Sequence, residues 1–181
     1  IPLLIWWALE NKAVSDNSQV TKLLADKSIW RMPMMQTHLV KRIGQRFTAE
    51  RTVANLSTAA RLLALAPTNA DRDKLVIGME EGLRGNAVQN PPKALLAETV
   101  KLWKANPHTP TLIGFATRLG LPEAMDEAIA LVKNPKTSAS ERRALTKLLS
   151  EHRGANALKL LLGQFKTEKN SGRRIELMTA L

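Results

Sequence analysis

The residues of this sequence whose types could do chemistry are three histidines, an acidic cluster, three basic pairs and four tryptophans. His38, His108 and His152 fall one in each third of the chain. None has a second histidine or a carboxylate three or four residues away, the spacing that aims two metal ligands from one helical face. A zinc or haem site would need ligands gathered from distant segments, so the histidines are expected at the surface or at helix ends. No cysteine is present, which excludes disulfides, thiolate metal centres, iron–sulfur clusters, covalent haem attachment and cysteine nucleophiles within the chain. No serine lies in a G-x-S-x-G elbow, and "GLRGN" lacks the spaced glycines and Lys-Ser/Thr ending of a phosphate loop.

Asp71, Asp73, Glu80 and Glu81 could supply paired carboxylates for acid–base work. Asp71 and Asp73 are better explained by the positive N-terminal end of a helix, with Glu80 and Glu81 on its solvent side. The strongest electrostatic feature is the set of pairs Lys41-Arg42, Arg142-Arg143 and Arg173-Arg174, the last two 31 residues apart. The chain carries a net charge of +11, and residues 138–181 hold nine basic against four acidic side chains. Such an excess favours polyanions or acidic proteins. Since no basic run exceeds two residues, a patch forms only where the fold gathers these pairs. Trp6 and Trp7 lie in the apolar run "PLLIWWAL", where core packing is the default. Adjacent helical positions point about 100° apart, however, so both cannot be fully buried on one stripe. One of them is expected to wedge against Trp30 or the next helix pair. Trp103 sits on an apolar helical face.

The elements that must position these groups read as helices. Aromatic content is 4%, with no tyrosine, and 44% of residues are hydrophobic, which supplies a core without the composition of a β-sandwich. The expected fold is all-α. Helices are expected at about 3–10, 17–26, 35–47, 52–65 and 70–83, with "SIWRMPMM" irregular around Pro33. From about residue 52 a period of 33 residues emerges: Leu161 aligns with Ala128, Leu95 and Leu62; Leu162 with Ile129, Leu96 and Leu63; Met178 with Leu145, Leu112 and Met79. A fourth column, Leu181, Leu148 and Phe115, fails at Gly82, where Leu83 next door takes over. A period in the 30s with two helices per unit is the pattern of an α-solenoid. "TPTLIGFATRLG" closes on Gly120, a C-terminal cap, and Ser138 precedes Glu141 at the capping-box spacing. One continuous domain is expected over 1–181, irregular across 1–50 and regular from about 52.

"LKLLLGQFKTEKNSGRRIELMTAL" and "MDEAIALVKNPKTSASERRALTKLL" resemble HEAT-type repeats: spaced leucines, a polar turn, then a second helix opening on basic residues. "IPLLIWWALE" with "LLALAPTNADRDKLVIGMEEGLRG" is similar to a helical segment of large exported planctomycete proteins. There it sits between a propeller resembling a sorbosone-dehydrogenase domain and a C-terminal c-type cytochrome. The resemblance implies a right-handed superhelix of helix pairs and a connecting role in the envelope or exterior of a bacterium, within a larger redox protein. It supplies no catalytic residue, and neither C-x-x-C-H nor a strand-rich propeller is present.

The expected function is that of a non-enzymatic scaffold or protein-interaction segment, without cofactor, whose partner is a protein or a neighbouring domain. The alternative is a nucleic-acid-binding helical repeat, such as a HEAT-like DNA glycosylase, with Lys41, Arg42, Arg142, Arg143, Arg173 and Arg174 on one concave face beside an exposed indole. Basic residues at this place in HEAT repeats also bond to the preceding turn, a purely structural role. "IPLLIWWALE" is too short for a membrane span and poorly formed as a signal peptide. Ile1 in place of Met, and apolar residues at both ends, read as a piece of a longer chain.

Overall fold

The computed structural model describes residues 2–105, 107–152 and 155–181, with side chains at all of these but 2, 152, 155–157, 160, 176 and 180. The regular structure among the described residues is helical throughout, with no strand. They form two compact units: Ile1–Arg84 with Asn90–Pro107, and Gly85–Gln89 with His108–Leu181.

The first unit contains α1 (Pro2–Ser15), α2 (Asn17–Ala25), α3 (Lys27–Trp30), α4 (Val40–Ala49), α5 (Val53–Leu65), α6 (Asn69–Leu83) and α7 (Lys93–Ala105). Pro33 does not abolish helix beyond it, since a proline is tolerated in a first turn. The chain instead enters α4 through a π-helical turn, Met35–Leu39. Side chains set the starts: Asp16 Oδ1 accepts from Ser18 N at 3.1 Å, and Thr52 Oγ1 accepts from Asn55 N at 3.2 Å. At α6 the Asp71 amide donates to Thr68 Oγ1 at 3.1 Å, while the Thr68 hydroxyl donates to Asp71 Oδ2 at 2.6 Å. Leu24, Trp30, Phe47, Leu62, Leu75, Met79 and Leu95 are buried in the core.

The tightest contact in this unit is the crossing of α4 and α6, made by glycine. A methyl group built on Gly78 would overlap the Lys41 carbonyl oxygen, and one on Gly44 would overlap that of Leu75. Backbone meets backbone here, and Thr48 Oγ1 donates across the contact to Met79 O at 3.0 Å. The apparent failure of the repeat at Gly82 has the same origin: a β-carbon there would lie 2.6 Å from Gln45 O.

The second unit contains α8 (Pro110–Arg118), α9 (Pro122–Lys133), α10 (Ala139–His152), α11 (Ala155–Thr167) and α12 (Ser171–Ala180). Each helix packs on the next, and α10 also packs on α8 and α12. Pro110 and Pro122 occupy first-turn positions. Gly120 adopts φ 78°, and Leu121 N donates to Ala116 O at 3.0 Å, which is the expected cap after α8. Across both units the column Leu62, Leu95, Ala128 and Leu161 is buried at every position. The Met178 column holds at Met79, Leu112 and Leu145, but Met178 itself is 60% exposed.

Candidate functional site

The second unit contains a cleft of about 640 Å³ that gathers Lys133, Arg142, Arg143 and Arg173 from three helices. Lys133 ends α9, the arginine pair lies early in α10, and Arg173 is the third residue of α12. Ala139 and Gly172, from the first turns of α10 and α12, also line it. Two helix N-termini thus add their partial positive charge to four cationic side chains. Among the described lining residues Glu168 alone is acidic, and its Oε1 accepts from Asn170 N at 2.9 Å in the turn before α12.

Local bonds position the cations. Arg173 Nη2 donates to Thr146 Oγ1 at 2.9 Å, and the Thr146 hydroxyl donates to the backbone oxygen of Arg142 at 2.7 Å, which ties the Arg173 guanidinium to α10. Asn170 Oδ1 accepts from Arg173 N at 3.0 Å, and Ser138 Oγ accepts from Glu141 N at 3.2 Å; these caps fix the first turns that frame the cleft. Arg143 and Arg173 also border a second cleft of about 450 Å³, beside Lys147 and Glu151. Chemically the arrangement can hold carboxylate or phosphate groups through guanidinium forks.

The six basic residues singled out from sequence do not behave alike. Arg142, Arg143 and Arg173 converge on this cleft. Arg174 turns away from it and stacks on Phe165, its Cζ 4.9 Å from the ring centre. In the first unit Lys41 Nζ lies 2.8 Å from Glu81 Oε1, and Arg42 lies over Trp6 at 5.7 Å. Sequence reasoning missed Lys133. Its place at the end of α9, one turn before the α10 cap, is the signal that could have found it.

The remaining candidates have structural surroundings. Asp71 is buried, accepting from Gln36 Nε2 at 2.6 Å and from Thr68; Asp73 is exposed. Lys74 Nζ donates to the backbone oxygen of Gln36 at 3.1 Å and also to its side-chain oxygen, which ties α6 to the π-helical turn. Glu80 and Glu81 are partly buried rather than fully solvated, because they reach Arg84 and Lys41. His38 is exposed, His108 Nδ1 meets Glu127 Oε2 at 2.6 Å, and the His152 side chain lies outside the described residues. Among the described residues no group of three His, Cys, Asp or Glu side chains could hold a metal ion. Trp30 is buried with Nε1 donating to Leu24 O at 2.8 Å, and Trp103 is buried. Trp7 departs from the core-packing expectation at 57% exposed, as do Leu3, Leu4 and Ile5 of the same run, and Trp6 is only half-buried, against Arg42.

Among the described residues no helix is long and apolar enough to cross a membrane. No protein-family model, curated protein or solved structure matches this chain.

Proposed function

We propose that this chain is a non-enzymatic helical-repeat module, HEAT-like in its pairing of short helices, that holds a partner or neighbouring domain through the basic cleft of its second unit. The observation that carries this reading is the convergence of Arg142, Arg143 and Arg173 with Lys133 on one cleft at two helix N-termini. The buried column at 33-residue spacing supports the repeat architecture. So does the Arg118–Glu151 ion pair, whose two residues are also 33 apart and 2.7 Å from contact to contact atom. Each unit of such a stack leaves similar surfaces in register, which is how helical repeats build binding faces. The sequence resemblance would extend this reading to a connecting segment of a larger exported redox protein.

A nucleic-acid reading draws on the same arginines. It also calls for Lys41 and Arg42, and these are engaged with Glu81 and Trp6. The test is fluorescence anisotropy of the whole chain with labelled polyglutamate and with single- and double-stranded oligonucleotides, across a salt series. The expected result is polyglutamate binding that weakens with salt and falls about tenfold in Arg142→Glu or Arg173→Glu, about 1.4 kcal/mol. Binding unaffected by either substitution, or no binding of any polyanion at low salt, overturns the proposal.

A further inference from the structure

The cleft also carries information about what enters it. Resting on the reading above, we infer that its occupant is an acidic protein segment that carries an apolar anchor residue, and not a nucleic acid. Beside the four cations the lining includes Val132, Pro135 and Ala139, an apolar strip running from the end of α9 into α10. Val132 is buried at the base of this strip, while Pro135 and Ala139 are exposed and open to a ligand.

A single strand of nucleic acid is held by aromatic side chains on which bases stack, together with cations that track phosphates. None of the described lining residues is aromatic. The nearby Phe165 of α11 is covered by Arg174. A duplex is read by broad surfaces that follow its phosphates. A volume of about 640 Å³ instead falls in the range that encloses a ligand of a few side chains. Carboxylates meet guanidinium forks in bidentate fashion, and an aliphatic side chain between them would remove the Pro135 and Ala139 surface from water. Acidic groups and one aliphatic group in a short extended segment match both halves of the lining.

The experiment measures binding of a test peptide and two competitors to the unmodified chain by fluorescence anisotropy. These are a peptide of alternating Asp and Glu with a central Leu, the same peptide with Ser in place of Leu, and a single-stranded oligonucleotide of equal charge. The Leu peptide is expected to bind about tenfold more tightly than either competitor. Ala139→Glu is the matching variant: an acid in the first turn of α10 suits the helix, so helicity is retained, while the Leu peptide weakens about tenfold. Equal binding of the Leu and Ser peptides, or an unchanged affinity in Ala139→Glu, overturns the inference and leaves the anion-binding cleft intact. Tighter binding of the oligonucleotide overturns it in favour of nucleic acid. Absence of binding by all three at low salt overturns both this inference and the function it rests on.

Discussion

The glycine-mediated crossing of α4 and α6 makes a sharp prediction about one methyl group. In an unconstrained helix interior, Gly→Ala stabilises by about 1 kcal/mol because alanine has less backbone entropy to lose. Gly163 of α11 meets that condition, with nothing within 4 Å of the added carbon, so Gly163→Ala is expected to gain about 1 kcal/mol. At Gly78 the same methyl would occupy the space of the Lys41 carbonyl oxygen, and a carbonyl cannot swing aside as a side chain can. The helices must separate, at the upper end of the usual overpacking cost, about 3 kcal/mol. Separation also stretches the Thr48 hydroxyl bond to Met79 O, worth about 1 kcal/mol. Setting the propensity gain against these leaves Gly78→Ala destabilised by about 3 kcal/mol. Urea unfolding followed by circular dichroism reads this as a midpoint lowered by about 1–2 M, with the Gly163→Ala midpoint raised. A Gly78→Ala chain as stable as the parent would refute the backbone contact between α4 and α6.

Three further substitutions or conditions test the packing. The Arg118–Glu151 pair is almost wholly buried, so Arg118→Ala is expected to cost about 3–5 kcal/mol by stranding a carboxylate. Replacing both residues by Met and Leu should recover most of that in the same urea assay. Hydrogen bonds from the Ser18 hydroxyl and the Gln19 amide hold the Asp16 carboxyl below the usual carboxylate range. Its capping contribution is therefore complete above the unfolded value and lost as pH falls through the lower folded value. Amide exchange at Ser18 should quicken in that acid window and not in an Asp16→Asn chain. Arg174→Ala is expected to lose about 0.5–1 kcal/mol of stability with its contact to Phe165, and to leave binding of the acidic Leu peptide unchanged.

What was legible in the sequence is what depends on local pattern. The starts of α5, α6, α8 and α9 follow from Thr52, Thr68, Pro110 and Pro122, whose effects reach only a few residues. The column through Leu62 and Leu161 was visible because buried positions at a fixed spacing require apolar residues whatever lies between them. The crossing at Gly44 and Gly78 was not visible, since a hydrophobicity pattern counts glycine as a missing contact, whereas here its missing side chain is what permits the contact. The candidate site was half legible. Two arginine pairs 31 residues apart suggested a shared surface, but the separation of Arg174 from Arg173 depends on the position of Phe165 one helix earlier. Lys133 joins through a turn whose geometry no spacing rule specifies.

The arginines of the cleft occupy positions that helix energetics alone would not choose. Arg173 is the third residue of α12 and Arg142 the fourth of α10, both at the positive end of the helix dipole, where a cation costs about 0.3–1 kcal/mol. Lys133 and Arg143 nearby add like-charge repulsion. A local rule broken in two helices at once calls for an offsetting gain, and the negative charge of a ligand would supply one. A structural role makes the opposite demand, since an arginine bonded to its preceding turn stabilises the chain in the absence of any partner. Arg142→Gln separates the two. If the cleft serves a ligand, the substitution relieves repulsion and the chain gains about 0.5 kcal/mol, while affinity for the acidic Leu peptide falls about tenfold. If Arg142 instead braces the turn, urea unfolding will show a loss of more than about 1 kcal/mol. Peptide affinity would then follow stability rather than charge.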